Sequence, residues 1–295
     1  MKQDWPSVAA AVSAAIGRRF WIEDARALGG GCINRSFRIA GAGQAYFVKL
    51  NEAGSAAMFA AEAEALQALQ ATDAIRVPAP ICHGRTERVS YLVLEYLALV
   101  GERGESPGEL GACLARLHRH TGRHYGWHRD NTIGSTPQPN APDDDWLRFW
   151  RERRLCHQLT VAARRGFGSA LQRKGDRLIS SLPRLLGGYR PAASLLHGDL
   201  WAGNCGMLRD GTPVIFDPAS YYGDRETDLA MTELFGGFSP HFYAVYRDHY
   251  PVDEGYRLRK ILYNLYHVLN HANLFGGGYA AQAECMMDEL LGELD

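Results

Sequence analysis

A chain of 295 residues is long enough for two compact units, each with its own core. With 46% hydrophobic and 22% charged residues it is not a disordered chain, and a formal net charge of −1 lacks the basic excess that broad nucleic-acid binding needs. No apolar run approaches the roughly 20 residues of a membrane helix, and the six scattered cysteines form no C-x-x-C pair, so the expected setting is a reducing cytoplasm without nucleic-acid or membrane partners.

In chain order, Ser7–Ile16 is rich in Ala and Val, but Trp5, Val8, Val12 and Ile16 fall at helical spacing. This predicts an amphipathic helix rather than a signal peptide. Trp21–Gly29 and Asn34–Ala40 read as strands around a Gly29-Gly30-Gly31 turn. Gly41-Ala42-Gly43 then leads into Ala45–Leu50, an apolar strand interrupted by Lys49. Ser55–Gln70 is predicted helical and Tyr91–Leu97 a strand, followed by a polar connection over Gly101–Gly108. Beyond it, Glu109–His120, Asp143–Ala163, Ala170–Leu186 and Asp253–Phe275 read as helices, with a β-like segment at Leu195–Ala219. This order predicts an α+β chain of two lobes. Residues 1–97 form an antiparallel-sheet lobe, and 98–295 a larger, mainly helical lobe.

The strongest chemical signal is the string HGDLWAGN at His197–Asn204, followed by Asp217 at the end of the apolar run Val214-Ile215-Phe216. Asp199 can orient and deprotonate a hydroxyl, while Asn204 and Asp217 offer hard oxygens to Mg²⁺. If Asp210-Gly211 forms a two-residue turn, Arg209 pairs with Thr212, and the count sets Asn204 directly opposite Asp217. A hairpin with a polar rim is the plainer alternative.

Lys49 is expensive within an apolar strand unless paired. On the following helix, the stripe Met58, Ala65, Leu66 and Leu69 takes in Glu62 and leaves Glu64 outside. A Lys49–Glu62 pair would aim the ammonium at phosphates; a strand-end lysine snorkelling to water is the alternative. Gly29, Gly30 and Gly31 could cover phosphates with bare backbone. Cys32 is either a redox-sensitive thiol beside them or an inert small residue. Glu95, Tyr96 and Leu97 leave a strand where backbone could meet an adenine edge. Four histidines, His118, His120, His124 and His128, lie close together without metal-ligand spacing, and are expected to be packed or solvated.

These strings, with GGGCINRSFRI, YGWHRDNTIGSTPQPN, DWLRFWRERRL and DPASYYGDRETDLAMTELFGGF, resemble the fructosamine kinase (ketosamine-3-kinase) family. That family lies within the aminoglycoside-phosphotransferase and choline-kinase-like group of protein-kinase-like fold. The resemblance implies an ATP- and Mg²⁺-dependent transfer to the 3-hydroxyl of a ketosamine, free or lysine-linked, by a monomer or homodimer. The phosphorylated adduct then falls apart, which is deglycation. It implies Asp199 as base, Asn204 and Asp217 as metal ligands, Lys49 and Glu62 as phosphate clamp and Glu95–Leu97 as adenine hinge. Trp201 would line the sugar site, with Trp127 as a second stacking platform, and Asp228 would brace the catalytic loop. Gly198 in place of the protein-kinase Arg, and Trp201 in place of its Lys, point away from peptide hydroxyls. Another small-molecule kinase of the group, or a silent nucleotide-binding pseudokinase, is the alternative.

Overall fold

A computed structural model describes residues 4–29, 33–100 and 107–294. The chain divides into two compact units, Met1–Ser106 with Cys205–Pro218, and Pro107–Asn204 with Ala219–Asp295. The expected break after residue 97 thus shifts to Ser106, and a short hairpin from far along the chain joins the first unit. Hydrogen bonds explain the move: Val100 N–H donates to Met207 O at 2.8 Å and Ile215 N–H to Arg76 O at 3.0 Å.

In the first unit, helix α1 (Trp5–Ile16) starts at Asp4, whose carboxylate accepts from Ser7 N–H, and stops at Gly17 in the left-handed region. Its buried Val8 and Val12 pack into a core with Phe20, Phe37, Ile39, Tyr46, Val48 and Val93. The sheet orders its strands β1 (Asp24–Leu28), β2 (Arg35–Gly41), β3 (Gln44–Glu52), β5 (Val89–Glu95) and β4 (Pro80–Arg85), every pair antiparallel. Ala42 and Gly43, both at positive φ, close the β2–β3 hairpin in the two-residue turn that matches strand twist. Helix α2 (Ala56–Ala71) buries Phe59, Leu66 and Leu69 through a run of small alanines. Strand β4 was not anticipated, and β5 both begins and ends two residues earlier than Tyr91–Leu97.

The second unit is mainly helical: α3 (Pro107–Leu117), α4 (Trp146–Phe149), α5 (Cys156–Arg164), α6 (Ser169–Leu186), α7 (Glu226–Leu234), α8 (Pro240–His249), α9 (Tyr256–Phe275) and α10 (Tyr279–Gly292). The predicted helix at 143–163 is broken by a π-helical turn over Trp150–Leu155, which directs Arg154 inward, fully buried. Gly111 on α3 meets α8 so closely that a Cβ there would lie 2.5 Å from Phe242 O. Trp146, Phe149, Trp150 and Tyr263 form the aromatic centre, and α9 runs through the interior with thirteen buried residues, including Leu262, Leu265 and Leu269. Two short antiparallel pairs complete it, Asn131–Ile133 with Thr136–Gln138 and Ser194–Leu195 with Tyr222–Gly223.

Candidate active site

In the first unit, β3 carries Lys49 between Ser36 on β2 and Leu92 on β5. The residue is 3% exposed, and its Nζ lies 2.6 Å from Glu62 Oε1 and 2.7 Å from Asp217 Oδ1. Burial alone would lower the ammonium's pKa, but the charges of Asp217 and Glu62 outweigh it and hold it raised. Burial raises the Glu62 carboxyl, against the opposing pull of Lys49. Asp217 stands at φ +60, a conformation Asp tolerates better than most residues, and its side chain is 45% exposed. One oxygen therefore meets Lys49 while the group stays open to a ligand.

The hairpin that delivers Asp217 differs from the expected register. Pro213 pairs with Met207, Val214 with Gly206 and Ile215 with Cys205. That is one residue out of step with the Arg209–Thr212 pairing from which Asn204 was counted opposite Asp217. The cause is a longer turn: Leu208 N–H donates to Thr212 O, Asp210 Oδ1 accepts from Thr212 N–H at 3.0 Å, and Gly211 stands at φ +87. Arg209, Asp210 and Gly211 all belong to the loop, so the direct-opposition argument for the pair does not hold.

Glu95 is engaged elsewhere. Arg76 Nη2 forks onto both its oxygens at 2.5 Å, and Oε2 accepts from Ala79 N–H at 3.2 Å, so these partners hold the carboxylate. Tyr96 stacks under the Arg38 guanidinium, 5.2 Å from the ring centre, and Leu97 O accepts from Leu99 N–H. Gly29 is a bend at the end of β1 with open space where a Cβ would stand. Gly30, Gly31 and Cys32 lie outside the described residues.

In the second unit, His197–Asn204 forms a tight loop. Gly198 stands at φ +85, and a Cβ there would lie 2.2 Å from Ala219 O, so both conformation and space require glycine. Asn204, at the end of a 3₁₀ turn, donates through Nδ2 to Asp199 O at 2.9 Å and to Asp199 Oδ2 at 3.3 Å. Its amide oxygen is the atom left for a cation. Trp201 lies over this turn, 38% exposed, with its ring where a Cβ on Gly203 would be 2.3 Å away.

Asp228 holds the loop from beneath. At 1% exposure its Oδ2 accepts from His197 N–H at 2.7 Å and lies 3.2 Å from His118 Nε2, while Oδ1 accepts from Gly198 N–H at 2.8 Å. Burial would raise this carboxyl, but the His118 and His197 rings and the backbone donors hold it below the usual range. The first turn of α7 supplies Asp228, yet the carboxylate faces these partners rather than water. His118, expected as a packed or solvated histidine, is fully buried, and its contact with Asp228 carries no signal in the sequence beyond its place one helical turn after Leu114 on an apolar stripe. Its Nδ1 lies 2.8 Å from Tyr246 OH, the other end of a bridge from α8 to Asp228.

Trp127 is not a platform. It is 8% exposed and packs against Tyr222 and His128, with ring centres 5.3 and 5.1 Å away. Its indole is spent on packing within the second unit, and Trp201 alone of the two presents a face to solvent. Among the described residues no group of three or more His, Cys, Asp or Glu could hold a metal ion.

A model of the fructosamine kinase family matches residues 4–293. The chain belongs to the fructosamine kinase family. As a member it is a phosphotransferase acting on a hydroxyl group. A Synechocystis protein named "Probable ketoamine kinase" is 49% identical over 288 residues, 97% of each chain. The "Protein-ribulosamine 3-kinase, chloroplastic" of Arabidopsis thaliana is 41% identical over 278 residues, 93% of this chain and 85% of that one. A crystal structure from Haemophilus somnus 129PT, of a protein provisionally assigned as a fructosamine-3-kinase, superimposes with a TM-score of 0.90 at 32% identity over 97% of both chains. Choline kinase from Streptococcus pneumoniae shares the fold alone, with a TM-score of 0.66 at 14% identity over 98% of each chain. The fold is therefore protein-kinase-like, with an N-terminal antiparallel sheet and a helical C-terminal part.

Proposed function

We propose that this member of the fructosamine kinase family transfers the γ-phosphate of ATP to the 3-hydroxyl of a ketosamine, the sugar adduct of an amine or a lysine side chain. The observation that carries the reading is the loop at His197–Asn204: a glycine-dependent turn, fixed by a buried carboxylate, that presents Asp199 beside an amide with its oxygen unspent. Kinship with a ribulosamine 3-kinase supports the substrate class.

Asp199 accepts the proton of the attacking hydroxyl, and Trp201 offers an exposed indole face to the apolar side of the sugar ring. Lys49, kept charged by Glu62 and Asp217, meets the nucleotide phosphates, and backbone at Glu95–Leu97 meets the adenine. Hard oxygens on Asn204 and Asp217 fit Mg²⁺, which when bound neutralises phosphate charge. Asp228 and His118 act on none of these atoms; they fix the backbone that carries Asp199. The Cys82, Cys113 and Cys205 thiols form no disulfide among the described residues, and burial pushes each up to about 11. Cys32 remains a redox candidate on sequence grounds alone.

The test is a comparison of kcat/KM for fructosyl-lysine, ribulosyl-lysine, kanamycin and choline under one set of conditions. The ketosamines should lead by orders of magnitude. Equal efficiency with kanamycin or choline would overturn the substrate class.

A further inference from the structure

The segment at 125–140, one of the strings that carry the family resemblance, turns its amides inward, and we propose that Gln138 and Asn131 are positioning residues for the catalytic loop. The inference rests on reading His197–Asn204 as that loop.

Gln138 is 1% exposed; its Nε2 donates to Ala219 O at 3.0 Å and to Asn131 Oδ1 at 2.8 Å, and its Oε1 accepts from Tyr266 OH at 2.7 Å. Asn131 Nδ2 donates to Ser220 O at 2.9 Å, and its Oδ1 also accepts from Asn140 Nδ2 at 2.8 Å. Asn140 Oδ1 in turn accepts from Arg154 Nη2 at 2.8 Å. The guanidinium lies 4.0 Å from the Tyr221 ring centre, and its Nη1 donates to Pro139 O at 2.7 Å. Every amide oxygen meets a donor and every amide nitrogen a carbonyl. Flipping Asn131 or Asn140 would set N–H against N–H, and flipping Gln138 would set its oxygen against two carbonyl oxygens, so the network has a single orientation.

What it grips is the carbonyls of Ala219 and Ser220, and Ala219 is bonded to the catalytic loop and packed closely on it. Its N–H donates to His197 O at 2.9 Å, and its O lies so near Gly198 that an added Cβ would be only 2.2 Å away. The Ala219 carbonyl is therefore pinned between the Gln138 amide and the residue that precedes Asp199. Asp228 takes the N–H groups of His197 and Gly198, and the amide network fixes the same two residues through Ala219. With both holds in place, Asp199 meets the acceptor hydroxyl without a search over loop conformations, which is where positioning contributes to rate.

Gln138→Met keeps the volume and removes the donor; Asn131→Asp, at a half-buried position, keeps the accepting oxygen and removes the donor to Ser220 O. Each should lower kcat about tenfold or more while KM for ATP and for fructosyl-lysine stays within about twofold. A purely structural role would lower the melting temperature and leave kcat per folded molecule unchanged, and that result overturns the proposal. Should Gln138→Met fail to fold, Asn131→Asp decides; failure of both to fold also overturns it. ATP hydrolysis without acceptor is measured alongside. A wild type that hydrolyses ATP but ignores ketosamines sinks the substrate reading alone, and the variants are then scored on hydrolysis. A wild type with neither turnover takes both down.

Discussion

Replacing Asp228 by Asn tests how the loop is held. The carboxylate takes three donors, the N–H groups of His197 and Gly198 and the His118 ring, in a site 1% exposed. Asn keeps one accepting oxygen and turns an NH₂ toward at least one buried N–H. A hydrogen bond to a charged group contributes about 1.5–3 kcal/mol, and an orphaned buried donor costs about 1–3 kcal/mol. The expected loss is therefore about 3 kcal/mol, or roughly 6–12 °C in Tm at about 2–4 °C per kcal/mol. Loosening the loop should lower kcat by about 10–100-fold while KM for ATP barely moves. The pH dependence has a definite sign. The folded carboxyl titrates below its unfolded value near 3.9, so its contribution is complete above that pH and is lost as pH falls through the folded pKa. Calorimetry of both proteins from pH 7 to pH 3 should show the Tm gap closing below about pH 4. A gap under about 2 °C at pH 7, or one constant across the series, refutes the reasoning.

Lys49→Met strands Glu62 and should cost about 3–5 kcal/mol at pH 8, as breaking a buried pair does. Because burial already raises the Glu62 carboxyl, that acid takes up a proton as pH falls, and the deficit should shrink by pH 5; equal deficits in urea unfolding at both pH values would contradict the pairing. Asn204→Ala and Asp217→Ala should each raise the Mg²⁺ concentration needed for half-maximal activity, and an unchanged requirement in both variants removes them as ligands.

The two-unit plan and the Lys49–Glu62 contact were legible because each rests on a period: two residues in a strand, about 3.6 in a helix. The apolar stripe on α2 takes in Glu62, and the ion pair follows at 2.6 Å. The hairpin register was not legible because it hangs on the turn. Asp210-Gly211 reads as a two-residue turn, but the Asp210 side chain caps Thr212 N–H and lengthens the loop by one residue. Composition cannot say which way an aromatic faces. Trp127 and Trp201 look alike in sequence, yet one is packed on Tyr222 and the other lies over a glycine turn. Glu95 and His118 found partners, Arg76 and Tyr246, whose contacts no local pattern announces. Helix α7 stayed hidden because seven consecutive residues from Glu226 to Thr232 are buried, which erases the one-sided stripe by which helices are recognised.

The most direct measurement follows phosphorus itself. Fructosyl-lysine, ATP and Mg²⁺ are incubated with the wild type and with Asp199→Asn, and the products are resolved by ³¹P and ¹³C NMR. The expected product is a phosphomonoester on C3 of the sugar, decaying with release of free lysine, with a loss of about 10²–10⁴-fold in its rate of formation for the variant. Phosphate on another carbon, or a variant that keeps more than about a tenth of wild-type turnover, would contradict it.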